Sequence, residues 1–187
     1  MYRNSAVSVL VALVLVLLPA AVSAQPMGYA DKEAKIESAL SAAPAAIAEG
    51  AAVVDWDNTV LREGTNGWTC MPDPPHMPGI APMCLDEQWV KWAIAWSSHE
   101  TPEITRVGTA YMLAGGVDAS NTDPYATEPA PGDDWVRSGP HVMIIVPDPA
   151  TLEGLPTDPN SGGPYVMWKG TPYAHIMMPV AGDMHRR

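Results

Sequence analysis

The placement of proline sets the first limit on what this chain can form. From Gly64 to Pro82 prolines recur so often that neither a helix nor a central strand can run through the stretch. Each one removes a backbone donor and fixes a dihedral. Residues 118–135 and 147–164 are irregular for the same reason, and the first of these is also acidic. Regular structure is left to short segments between such loops. A loop as long as residues 64–82 inside a compact domain is usually functional or stapled.

The segments between the loops read as a mixture of helix and strand. Residues 30–40, ADKEAKIESAL, form a helix that Asp31 can cap. Pro44 ends it or opens a second short helix, which Gly50 stops. Val53–Trp56 and Thr59–Arg62 read as a hairpin around Asp57 and Asn58. Residues 85–103 read as a helix capped by Asp86, with Trp89, Trp92 and Trp96 on one broad face and an end before Pro102. His99 then falls in its last turn, where an imidazolium favours the dipole. Strands are expected over 104–116 and 141–147, and two more over 165–180 around Lys169 and Gly170. The resulting expectation is an α+β fold: a single antiparallel sheet of about five or six strands, the Trp-rich helix on one face, and long Pro/Gly-rich loops.

The first 24 residues read as an export signal. Arg3 precedes an apolar run from Ala6 to Leu18, about 13 residues and short for a membrane span. Val22 and Ala24 place cleavage before Gln25, leaving residues 25–187 as a single globular domain in the periplasm or outside the cell. The whole chain carries a formal charge of −11, and loss of Arg3 makes it one unit more negative. Such a surface repels phosphate, so nucleic acid is an unfavourable partner, and no other segment suits membrane insertion. In an oxidising compartment Cys70 and Cys84 are expected to form a disulfide. A pair of thiolate metal ligands is the rival reading.

Histidine and methionine supply the candidate chemistry. On a strand, residues two apart share a face, so His141 goes with Met143, and His175 with Met177. If these strands are neighbours in suitable register, two imidazoles and soft thioethers can hold copper. Methionine as core filler is the competing reading, in a chain with seven Trp, six Tyr and no Phe. Those aromatics carry polar edges that suit a cleft as well as a core. Trp68, His99, Met112, Trp168 and Tyr173 are its candidate walls. Asp118, Asn121 and Asp123 are spaced closely enough to wrap calcium, though they lack the EF-hand pattern and also suit a plain Asx turn. No GxSxG elbow, phosphate-cradling glycine motif or CxxCH haem motif is present.

GTNGWTCMPD, APMCLDEQW, DASNTDPYATEP and the long run ending GTPYAHIMMPV resemble segments of a family of exported bacterial proteins. The resemblance spans about Ala48 to Val180 and brings no activity, cofactor or fold with it. The residues themselves lead to an exported protein binding a transition metal, copper favoured, through His141, His175, Met143 and Met177. The first alternative is a small periplasmic enzyme using His141 or His175 as general acid or base in a Trp/Tyr-lined cleft. The second is a structural or interaction protein, which predicts scattered histidines, buried methionines and an exposed aromatic patch.

Overall fold

The computed structural model of the protein describes residues 31–180. The expected export signal and the last residues of the tail lie outside them. No helix among the described residues is long and apolar enough to cross a membrane.

Local chemistry explains the helices. Helix α1 spans Lys32–Leu40, and Asp31 caps it by accepting from the Ala34 amide at 2.7 Å. Pro44 sits at the N-cap of the single turn α2, Ala45–Ala48. Helix α3 spans Glu87–Ser97. One Asp86 carboxylate oxygen accepts from the Trp89 amide at 2.9 Å, and the other accepts from the Thr109 amide at 2.7 Å. A single side chain thus starts the helix and ties it to the adjoining strand. The far end of α3 closes earlier than Pro102 alone would dictate. His99 takes φ +58°, its amide donates to Trp96, and the Glu100 amide donates to Ala95 at 2.8 Å. This is a left-handed cap in which histidine stands where glycine is usual. His99 therefore lies past the helix, not in its last turn.

Ten strands follow in chain order: β1 Ala52–Val54, β2 Val60–Arg62, β3 Thr69–Met71, β4 Met83–Leu85, β5 Gly108–Met112, β6 Gly116–Asp118, β7 Val136–Ser138, β8 His141–Ile145, β9 Tyr165–Met167 and β10 His175–Pro179. Eight of them form one sheet in the order β2-β1-β3-β4-β5-β8-β10-β9, and β6 and β7 form a separate ribbon. This corrects the expected single antiparallel sheet of five or six strands. The main sheet is mixed, because β3 lies parallel to β1 while the other neighbours are antiparallel. The β1–β2 hairpin itself carries the chain back, so no helical crossover is needed. Strand β3 lies inside residues 64–82, against the expectation of no central strand there, because the prolines begin only at Pro72; β3 and β4 escape sequence reasoning because each is three residues long. Three residues cannot display a period of two.

The two faces of the sheet bury different cores. On one face Leu85, Ala110, Met143, Ile145, Tyr165 and Met177 are buried, covered by α3 at one end and by the β6–β7 ribbon at the other. On the opposite face Val53, Cys70 and Cys84 pack beneath α1 with Ala39 and Ala42. Cys70 and Cys84 are direct partners across β3 and β4 and form the disulfide. Closing a loop of 14 residues' separation contributes about 3 kcal/mol by restricting the unfolded chain. The thiolate-ligand reading of these cysteines is removed.

Helix α3 comes close to the sheet because Gly108 has no side chain. A Cβ there would lie 2.8 Å from Gln88 Cβ and 2.8 Å from Ile145 Cγ1. Gly108→Ala is expected to destabilise the protein by about 1–3 kcal/mol, as overpacking does. An unchanged urea midpoint would show that the helix can back away from the sheet freely.

Candidate functional site

The register of β8 and β10 decides the histidine–methionine question. Met143 lies directly opposite Met177, so the two methionines do meet. His141 lies opposite Pro179, four residues beyond His175. The imidazoles share a face but start about 13 Å apart along the strands, at about 3.3 Å per residue. The methionine pair fills the space between them, and both thioethers are core. Among the described residues no group of three or more His, Cys, Asp or Glu side chains could hold a metal ion. Copper as cofactor, the metal-binding assignment and a metal-ion partner are therefore withdrawn.

Each histidine is instead sealed by ordinary neighbours. His175 is 2% exposed and stands nearly perpendicular to three indoles: Trp168 at 5.2 Å, Trp89 at 5.3 Å and Trp92 at 5.6 Å between ring centroids. Its Nδ1 donates to the Tyr173 carbonyl at 3.0 Å. Burial pushes its pKa down to about 4, so the ring stays neutral. His141 lies under the ribbon, where a Cβ on Gly116 would come within 3.0 Å of its Cε1. Its Nδ1 donates to the Gly139 carbonyl at 2.7 Å, and its buried Nε2 has no partner among the described residues. Burial lowers its pKa as well. Near the same ribbon Ser138 Oγ and the Tyr165 hydroxyl lie 3.3 Å apart. Burial raises the Tyr165 hydroxyl, with the Asp118 charge adding to the rise, and burial pushes Asp118 itself up to about 6.

The feature that reaches the surface is aromatic. Trp92, Trp96 and Trp168 lie nearly parallel, with centroids 5.8 to 6.4 Å apart. Tyr125 continues the pile 6.3 Å from Trp96, and His99 closes it 4.0 Å from Tyr125. Tyr173 stands edge-on to Trp92 and Tyr125. Its hydroxyl receives a 2.6 Å bond from Tyr125 and donates to the Glu100 carbonyl at 2.8 Å. Trp168 holds φ +56°, an outlying conformation for so bulky a residue. Two bonds to the acidic loop keep it there: its amide donates to the Asn121 carbonyl and its indole N–H to the Ser120 carbonyl, each at 2.9 Å.

Beside this pile, where β8 ends and β10 begins, lies a groove of about 330 Å³. Trp92 and Ile145 form its inner part, and Pro102, Ile104, Pro147 and Pro172 are among its walls. The one polar side chain lining it is Thr101.

Of the residues expected to wall a cleft, Trp168, Tyr173 and His99 come together in the aromatic pile. Trp68 is elsewhere, against Tyr111 at 5.4 Å on the α1 side of the sheet. Met112 lies at the ribbon end, opposite His141 on the next strand. The three candidate calcium ligands lie in different settings. Asp123 accepts from the Tyr125 amide, as an Asx turn does, and Asn121 donates to the Thr157 carbonyl. Asp118 belongs to the ribbon.

Sequence reasoning missed Tyr125 and the groove prolines. Their one local signal is position: Pro102, Pro147 and Pro172 each stand just past a helix end, just past a strand end, or just before a strand. Compared with protein-family models, with curated proteins and with solved structures, the chain matches none.

Proposed function

We propose that the protein is an exported interaction protein that docks another polypeptide in the groove beside its aromatic pile. The observation that carries this reading is the set of side chains lining the groove: all apolar except the Thr101 hydroxyl, and backed by Trp92 of the pile. Catalysis would need a titratable group in the cleft. Among the described residues His175 lies behind Trp92, neutral and bonded to a carbonyl, and the groove lining holds no titratable side chain. The conformation of Trp168 supports the same reading, since strained backbone held by its surroundings concentrates at binding sites. The apolar leader, the disulfide and the resemblance to exported bacterial proteins support an extracytoplasmic setting.

The test is a random-peptide library displayed on phage and selected on the purified protein. Selected peptides are then titrated into isotope-labelled protein. Docking in the groove is expected to move the Trp92 indole N–H and the Thr101, Ile104 and Ala174 amides. Selected peptides that leave those four signals in place, or a library that yields no binder, would overturn the reading.

A further inference from the structure

The rim of the groove differs in character from its floor. Glu100 and Glu103 flank the lining residues Thr101, Pro102 and Ile104, and Asp148 sits between the lining prolines Pro147 and Pro149. Glu100 and Glu103 are exposed and enter none of the ion pairs among the described residues. Two neighbouring cations are already engaged, Arg106 with Glu87 and Lys169 with Glu153. Acidic residues thus adjoin the apolar lining along the chain, on a protein of net charge −11.

Residues 101–104, of which Thr101, Pro102 and Ile104 form one wall, enter no backbone–backbone hydrogen bond among the described residues. Their carbonyls, and the amides of all but Pro102, are left without a backbone partner there. A main chain laid along that wall could pair with them, as extended peptides do on exposed backbone. This favours a polypeptide over an isolated organic cation, which would leave those groups unused.

Resting on the docking reading above, we infer that the groove selects a basic segment: a stretch of polypeptide that places an apolar side chain against Trp92 and lysine or arginine side chains against Glu100 and Glu103. A volume of about 330 Å³ accommodates one or two such side chains, the apolar stem of a lysine or arginine included. Charge at the rim steers and selects the partner, while the apolar floor holds it.

Three synthetic heptapeptides test this, identical in their leucine and tryptophan positions. One carries two lysines, one has glutamines in their place, and one has glutamates. Binding is followed through the Trp92 indole signal at low and at high salt. The lysine peptide is expected to bind about tenfold more tightly than the glutamine twin at low salt, with the glutamate twin weakest. High salt should erase most of that advantage. Glu100→Gln together with Glu103→Gln should remove it for the lysine peptide and leave the glutamine twin unchanged, which also shows that the variant is folded. Equal binding of all three peptides in the groove would overturn the charge preference while leaving docking intact. Failure of all three to move the Trp92 signal would overturn docking itself, and with it this inference.

Discussion

Replacing Trp92 with alanine is expected to cost about 3–5 kcal/mol, as truncation of a buried tryptophan does. Trp92 is 7% exposed and touches five aromatic rings: Trp89, Trp96, Trp168, Tyr173 and His175. Removing the indole leaves a cavity between α3 and β10 that its neighbours, already in contact with one another, cannot collapse to fill. The stacked indoles should also give a strong near-ultraviolet circular dichroism signal that weakens in the variant. A guanidinium midpoint close to that of the parent protein, with the aromatic signal retained, would mean that the pile does not hold the domain together. Trp92→Phe should recover part of the loss, since a ring remains against His175.

Asp118→Asn is expected to expose a pH dependence that the parent protein hides. His175 titrates near 4 in the folded chain and near 6.5 when unfolded. Its contribution is complete above the unfolded value and is lost as pH falls through the folded one, about 3 kcal/mol in all. His141 acts in the same direction. Asp118 acts in the opposite one. Its pKa is raised from 3.8 to about 6, so it costs nothing below the lower value and destabilises progressively as pH rises through the upper one. That cost is roughly 2 kcal/mol at neutral pH once partial exposure is allowed for. Between about pH 4 and 6 the Asp118 slope opposes the histidine slope and offsets part of it. Urea midpoints at pH 7, 5 and 4 should therefore fall only gently with acid in the parent protein. They should fall steeply with acid in Asp118→Asn, which should be the more stable protein at pH 7. His175→Phe should remove the His175 share of that slope, leaving His141 alone to oppose Asp118. An Asp118→Asn variant whose midpoints follow the parent at every pH would refute the opposed titrations.

The parts of this molecule that could be read directly are those whose causes lie within a few residues. Asp31 and Asp86 cap helices because a carboxylate three positions before an amide reaches it, whatever the rest of the chain does. The hairpin of β1 and β2 and the antiparallel pair β9 and β10 follow from turn residues between short apolar runs. Boundaries were poorer. The strand expected over residues 104–116 is confined to Gly108–Met112, because only there do β4 and β8 offer partners. Helix α3 stops at Ser97 because His99 turns left-handed, an event that the nearby proline does not announce.

The candidate site was less legible. Alternation along each strand correctly placed His141 with Met143 and His175 with Met177 on one face, but alternation carries no information about register. A shift of four residues between β8 and β10 preserves the face and separates the two imidazoles, which was enough to undo the copper reading. The aromatic pile needs four separated pieces of chain: α3, the acidic loop with Tyr125, Trp168 after β9, and Tyr173 before β10.

From residue order alone follow the helix caps, the proline-bounded short segments, the acidic surface and the pairing of two cysteines. Each depends on bonds or charges that act locally, or on there being one possible partner. Strand order, the parallel β1–β3 pair, the ribbon over His141 and the groove beneath the acidic rim came from long-range packing. Burial rewards contact between segments without regard to their distance in the chain, so nothing local encodes which segments will meet.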